Sequence, residues 1–158
     1  MIIDQYAAGA NHLILAVSRL AEKELDYEID DQNWTIRQIV HHVVDGDMLW
    51  HTCIKAALGS KKPFHLKWYW EISQITWANV WLYDRRDINP SLKAFQANRD
   101  SLCQLLRLVP NVLEKEVVII WPNDTERQSN IMEILKMQID HVAEHVGDIQ
   151  KIIRLHQK

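Results

Sequence analysis

The stretch WTIRQIVHHVVD, residues 34–45, carries the strongest structural signal in the chain. Thr35 and Gln38 have the spacing of a capping box, in which the side chain of each residue bonds to the backbone N–H of the other. Trp34 before the cap and Ile39 at the fourth helical position can pack together as a hydrophobic staple. The pattern therefore predicts a helix that begins directly after Thr35.

One histidine lies on the apolar face of this predicted helix. Counting from Ile39 by threes and fours gives a buried stripe that consists of His42, Val43, Gly46, Leu49, Trp50 and Cys53. His41 is rotated about 100° away at 3.6 residues per turn, which places it on the flank of the helix. Periodicity thus predicts that His42, rather than His41, faces the core.

A second pair of histidines lies on a predicted helix near the other end of the chain. Asn130 and Glu133 resemble another capping box, and the stripe that follows contains Ile134, Gln138, His141, His145, Ile149 and Ile152. His141 and His145 are four residues apart, so their imidazoles lie on one face and can bind one metal ion. A catalytic zinc-type site needs three protein ligands, and His42 would supply the third. Spacing alone leaves both metal binding and ordinary core histidines open.

The rest of the chain predicts two more long helices and a long connection. Apolar spacing indicates helices over residues 4–23 and 90–108, and the few turn-forming residues, four Gly and four Pro, favour long helices over many strands. The connection over residues 59–89 includes a short helix within 71–85. Residues 111–130 are predicted to be irregular, with one extended stretch at 117–121.

The long connection is rich in aromatic side chains. They are Trp68, Tyr69, Trp70, Trp77, Trp81 and Tyr83. Packing over one end of the helices is the favoured interpretation, because large aromatic residues usually belong to the core. A substrate cleft or lid is the alternative role for this segment.

Composition excludes several classes of protein. The 158 residues carry a formal net charge of −3 and no run of Lys or Arg, which argues against nucleic-acid binding. Cys53 and Cys103 lack metal-site spacing and are expected to be reduced and buried. No apolar run reaches the roughly 18 residues of a membrane span, and no signal-peptide pattern is present. We expect one domain over residues 1–158, located in the cytoplasm.

Residues 34–45 resemble the helix 2 motif W-T-x-R-Q-x-V-H-H-x-x-D of the YfiT branch of the DinB-like superfamily. His141-x-x-x-His145 is similar to the second motif of that family. The resemblance implies an all-α four-helix bundle with a long crossover between its second and third helices. It also implies a divalent metal ion, Zn²⁺ or Ni²⁺, bound by His42, His141 and His145. The resemblance does not extend to residues 68–70, in the segment expected to select the substrate.

The resemblance implies a metal-dependent enzyme that acts on a small molecule, either a hydrolase or a transferase that uses a low-molecular-weight thiol. Asp45, one turn along the helix from His42, is the candidate to orient a ligand. Asp140, Glu144 and Asp148 are expected to be solvated surface charges. The sequence identifies no catalytic residue. The alternatives are a non-catalytic metal-binding or stress-response protein and an interaction domain, and the resemblance also favours a homodimer.

Overall fold

The computed structural model describes residues 1–29, 34–66, 73–121 and 123–157. Over these residues the chain forms five α-helices: α1 (Ile2–Val17), α2 (Ile36–Gly59), α3 (Gln74–Val80), α4 (Ile88–Leu108) and α5 (Ile131–His156). The four long helices form the bundle, in which α1 and α2 each pack against both α4 and α5. The long segment that contains α3 connects α2 to α4. The predicted four-helix bundle with its long crossover is confirmed.

The two predicted capping signals begin α2 and α5. Thr35 Oγ1 accepts a hydrogen bond from the backbone N–H of Gln38 at 3.2 Å, and Gln38 Oε1 accepts one from the N–H of Thr35 at 2.9 Å. Asn130 Oδ1 accepts from the N–H of Glu133 at 2.9 Å. These bonds satisfy backbone donors that have no partner within the helix, so the sequence fixes where each helix begins.

The first helix is shorter than predicted, ending at Val17 instead of continuing to residue 23. A 3₁₀-helix covers Glu22–Asp26. Its carboxylates turn towards α2, where Arg37 Nη2 lies 2.7 Å from Glu22 Oε1 and Arg37 Nε lies 2.8 Å from Asp26 Oδ1. Glu22 and Asp26 therefore form ion pairs with Arg37 of α2 instead of lying on the surface of a longer α1.

The crossover differs from its predicted outline. The short helix predicted within residues 71–85 is observed as α3, and Ser73 caps it by accepting from the N–H of Thr76 at 3.2 Å. Trp77 and Tyr83 are buried, in agreement with the packing interpretation, whereas Trp81 is partly exposed. Trp68, Tyr69 and Trp70 fall outside the described residues.

The chain forms a small three-stranded sheet that was not predicted, since only one extended stretch, at residues 117–121, was expected. Its strands are β1 (Phe64–Leu66), β2 (Glu116–Ile120) and β3 (Glu126–Asn130), in the order β1-β2-β3. β2 runs parallel to β1 and antiparallel to β3. β3 has a polar sequence and lies mostly exposed, so it lacks the alternating apolar residues that identify a strand. None of the described helices is both long and apolar enough to cross a membrane.

Candidate metal centre

Two helices of the bundle bring three histidines together. His42 lies on the buried face of α2, while His141 and His145 lie one turn apart on α5. One ring nitrogen from each of the three residues lies within 4.8 Å of the other two. The Nε2 atoms of His42 and His141 are 3.1 Å apart. The structure therefore brings together all three residues that the sequence selected.

The spacing of the His42 and His141 nitrogens fits a small divalent cation. Bonds of about 2.0–2.1 Å from Zn²⁺ to nitrogen place two tetrahedral ligands roughly 3.3 Å apart. The 3.1 Å between His42 Nε2 and His141 Nε2 is close to that separation. The same distance lets one neutral imidazole donate a hydrogen bond to the other when no cation is bound. Three imidazoles also match the ligand count of a catalytic site, which keeps one position open.

Burial keeps two of the three imidazoles neutral. It lowers the pKa of His42 to about 3, and the nearby His141 and His145 add to this effect. It also lowers the pKa of His141 to about 4, again with a contribution from His145. Both rings are therefore uncharged at neutral pH and hold the lone pairs that a cation needs.

Asp148 orients the third histidine. Its Oδ2 lies 3.1 Å from Nδ1 of His145, three residues earlier on α5. When Nδ1–H donates to this carboxylate, the lone pair of His145 is on Nε2, the tautomer expected of a metal ligand. Sequence reasoning grouped Asp148 with the surface charges. The signal that could have separated it is its i, i+3 spacing from His145.

Asp45, the predicted orienting residue, lies elsewhere. Its Oδ2 accepts a hydrogen bond from Arg86 Nη1 at 3.1 Å. Arg86 comes from the end of the crossover, so its guanidinium occupies the flank of α2 on which Asp45 stands. Asp140 and Glu144 are exposed, in agreement with their predicted role as surface charges.

The prediction that His41 lies on the flank of α2, outside the core, is wrong: the side chain is fully buried, because the end of the crossover and the start of α4 cover that flank. His41 belongs to a different network from His42. Its Nδ1 lies 3.0 Å from Ser91 Oγ, and its Nε2 lies 3.2 Å from the carbonyl oxygen of Arg86. Because the carbonyl can only accept, Nε2 carries the proton and Nδ1 accepts from Ser91. His41 therefore links α2 by hydrogen bonds to the end of the crossover and to the start of α4.

The histidines line two different openings. His145 lines a cavity of about 340 Å³. His141 lines a separate groove of about 550 Å³. Trp34 stands at the first opening, where its ring packs edge-on against His42 with 4.7 Å between the ring centroids. A cavity and a separate groove thus adjoin two of the three histidines.

The fold and the cluster define a class of protein, a four-helix bundle in which two helices join three histidines into a candidate metal centre. The family model of the DinB superfamily matches residues 5–149. The chain therefore belongs to the DinB superfamily. The family resemblance of the two histidine motifs is confirmed.

Comparison with known proteins gives a structural neighbour and several relatives. The solved structure of YfiT from Bacillus subtilis, described as "a probable metal-dependent hydrolase with an unusual four-helix bundle topology", matches with a TM-score of 0.84 and 22% identity. The match covers 99% of this chain and 86% of that one. Proteins of Bacillus cereus (strain B4264) and Bacillus anthracis (strain A0248), each named "Putative metal-dependent hydrolase", are 43% identical over 53 residues. This stretch spans 34% of the chain and 31% of each relative.

Proposed function

We propose that this chain is a metal-dependent hydrolase in which His42, His141 and His145 bind one divalent cation, with Zn²⁺ or Ni²⁺ as the expected ions. The observation that carries the proposal is the convergence of three imidazole nitrogens within 4.8 Å. The names of the relatives and of the structural neighbour support the same assignment.

The residues of the chain have separable roles in this function. A bound divalent cation supplies the positive charge that lowers the pKa of water towards about 7. His42 and His141 offer neutral lone pairs because burial holds their pKa values to about 3 and about 4. Asp148 holds the ring of His145 in one orientation and tautomer. Trp34 covers one side of the His42 ring and so limits the access of solvent to it.

Transfer of a low-molecular-weight thiol is the second candidate. Three neutral ligands leave the charge of a divalent cation undiminished, and that charge stabilises a thiolate as well as hydroxide. The specific observation in favour of this candidate is that separate openings lead to His145 and His141. Two separate openings suit two reactants that approach the centre independently.

The first experiment tests metal binding. Metal-free protein is titrated with Zn²⁺ and Ni²⁺ at neutral pH, and the bound metal is measured by elemental analysis after gel filtration. We expect one equivalent per chain in the wild type and a loss of binding in His42→Ala, with His41→Ala as the matched control from the next position of α2. Absence of stoichiometric metal from the wild type would overturn the proposal.

The second experiment separates the reactions. The metal-loaded protein is incubated with a panel of esters and amides, and with electrophiles in the presence and absence of small thiols. Product formed without thiol, and lost on chelation, supports hydrolysis. Product formed only with thiol supports the transferase. Bound metal that raises the melting temperature without any turnover would favour the structural role of the ion. The homodimer and the cytoplasmic location stay predictions, and light scattering tests the first.

A further inference from the structure

The cavity beside His145 has a mainly apolar wall. Among the described residues that line it, Ile39 and Ile152 are buried and belong to the core. Ile29 and Trp34 are half-buried, and Ile75 is exposed at the rim. His145 and Asp148 form its polar side. An apolar wall that ends at a small polar group is the usual composition of a small-molecule site.

The apolar wall continues directly into the histidine cluster. Trp34 lines the cavity and also packs edge-on against His42. His145 lines the cavity and is itself one of the three converging histidines. A molecule that fills the cavity would therefore contact Trp34 and lie next to the centre.

The groove beside His141 has a different character. It is lined by Arg127, Glu133, Lys136, Met137, Asp140, His141 and Glu144. Five of these seven residues carry a formal charge, whereas Asp148 is the one formally charged residue among those described around the cavity. Apolar surface thus adjoins the cluster on the His145 side, and charge adjoins it on the His141 side.

We infer that the substrate carries a compact apolar group, aliphatic or aromatic, which binds in this cavity with the reacting bond next to His145. The inference rests on the proposed function, because it concerns the substrate of the same centre. A volume of about 340 Å³ lies at the low end of the roughly 300–1,000 Å³ found for ligand pockets, which limits the group to a short branched chain or a single ring. The carboxylate of Asp148 disfavours an anionic group at this position by like-charge repulsion.

Neutral primary amides of increasing chain length, from acetamide to hexanamide, together with benzamide, are the probes for this inference. They are titrated into metal-free protein labelled with fluorotryptophan, and binding is followed by fluorine NMR, with the Trp34 resonance assigned from the Trp34→Phe variant. Affinity should rise about threefold to fourfold for each added CH₂ until the cavity is full. The Trp34 resonance should shift most. Affinity independent of chain length, or shifts confined to other tryptophans, would overturn the inference.

Two variants of α3 sharpen the test. Ile75 lines the cavity with 66% of its surface exposed, and Val80 on the same helix is 69% exposed but lies outside the lining set. Ile75→Asp should weaken hexanamide binding about tenfold, because it replaces an apolar side chain of the lining with a hydrated carboxylate. Val80→Asp, with the same new charge at similar exposure, should bind within about twofold of the wild type. Equal losses in the two variants would contradict the inference.

Metal content distinguishes this inference from the proposed function. Wild type and Ile75→Asp should both bind one equivalent of Zn²⁺, because Ile75 is not part of the histidine cluster. Metal binding without chain-length-dependent amide binding would overturn the substrate class and leave the metal centre in place. Amide binding without metal would keep the apolar cavity and overturn the metal-dependent function on which the inference rests.

Discussion

Nε2 of His42 lies 3.1 Å from Nε2 of His141, although the two residues are 99 positions apart in the chain. The neighbouring residue His41 is equally buried but faces Ser91 and the carbonyl group of Arg86. Helix α2 therefore presents two adjacent imidazoles to different surroundings. His42 belongs to the candidate metal centre, and His41 forms hydrogen bonds with the end of the crossover and the start of α4.

Substitution by alanine should separate the two adjacent histidines. His42→Ala, His141→Ala and His145→Ala should each abolish stoichiometric binding of Zn²⁺, because each leaves only two imidazoles in the cluster. His41→Ala should keep the metal but lose about 1–3 kcal/mol of unfolding free energy, because Ser91 and the Arg86 carbonyl lose a buried hydrogen-bonding partner. Elemental analysis and urea unfolding measure the two effects. Equal loss of metal in His41→Ala would show that the assignment on α2 is wrong.

Acid should destabilise the metal-free protein through the buried histidines. The pKa of His42 is lowered to about 3 in the folded chain, against an ordinary value of 6.5, so the unfolded state binds a proton first as the pH falls. The contribution of the neutral His42 ring to the unfolding free energy is complete above about pH 6.5, and it is lost progressively as the pH falls from there towards about 3. For His42 the loss between about pH 7.5 and about pH 5 amounts to about 2 kcal/mol.

Urea unfolding of metal-free protein at these two pH values measures the effect. His42→Leu is the matched control, because it keeps the volume of the buried side chain and removes the titrating group. The variant should show a smaller change in unfolding free energy between the two pH values than the wild type. An identical change in both proteins would show that His42 is not the group responsible.

The features that the sequence predicted are those with a local signal. Thr35 and Gln38 identify the start of α2 within four residues, because a capping box is formed by neighbours in the chain. The choice of His42 over His41 follows from a rotation of about 100° per residue once that start is known. The four-residue spacing places His141 and His145 on one face of α5. Three residues from two separate motifs could thus be assigned to one cluster.

The features that the sequence missed depend on partners far along the chain. β3 is polar and exposed, and its strand character comes from pairing with β2. Asp45 was expected to contact a histidine, but a guanidinium that arrives from the crossover occupies its side of α2. Asp47 and Arg99 are buried at 1% and 0% exposure, although charged residues usually lie at the surface and no local pattern marks these two as buried. In each case the deciding contact is formed only in the folded bundle.

Matched substitutions of two aspartates should identify which one supports the metal centre. Asp148→Asn should weaken the affinity for Zn²⁺ about tenfold. This value is the low end of the range for residues that orient a metal ligand, and we expect it because the side chain of Asp148 is partly exposed. Asp45→Asn removes the same charge from the partner of Arg86 and should leave the affinity within about twofold. Competition with a chromophoric chelator measures both constants. A larger loss in Asp45→Asn than in Asp148→Asn would contradict the role of Asp148.

Among the described residues, Arg99 and Asp47 form an ion pair that is fully buried in the bundle. Arg99 Nη2 on α4 lies 2.6 Å from Asp47 Oδ1 on α2. The guanidinium carbon of Arg99 lies 4.0 Å from the centroid of the Tyr6 ring and 4.5 Å from that of Phe95. Gly9 on α1 provides room for this side chain, because a Cβ at that position would meet Nη1 of Arg99. Three helices therefore converge on one guanidinium.

Breaking this ion pair should cost far more stability than breaking an exposed one. Arg99→Met leaves the carboxylate of Asp47 buried without its cation and should lower the unfolding free energy by about 3–5 kcal/mol. Gly9→Ala should destabilise the protein as well, because the added methyl group displaces the guanidinium. Arg107→Met is the matched control on the same helix, since it breaks the exposed pair of Arg107 Nη2 and Asp4 Oδ1, 2.7 Å apart. The urea unfolding curve of Arg107→Met should stay close to that of the wild type. A similar shift of the curve for Arg99→Met and Arg107→Met would show that the buried pair contributes no more to the unfolding free energy than a surface contact does.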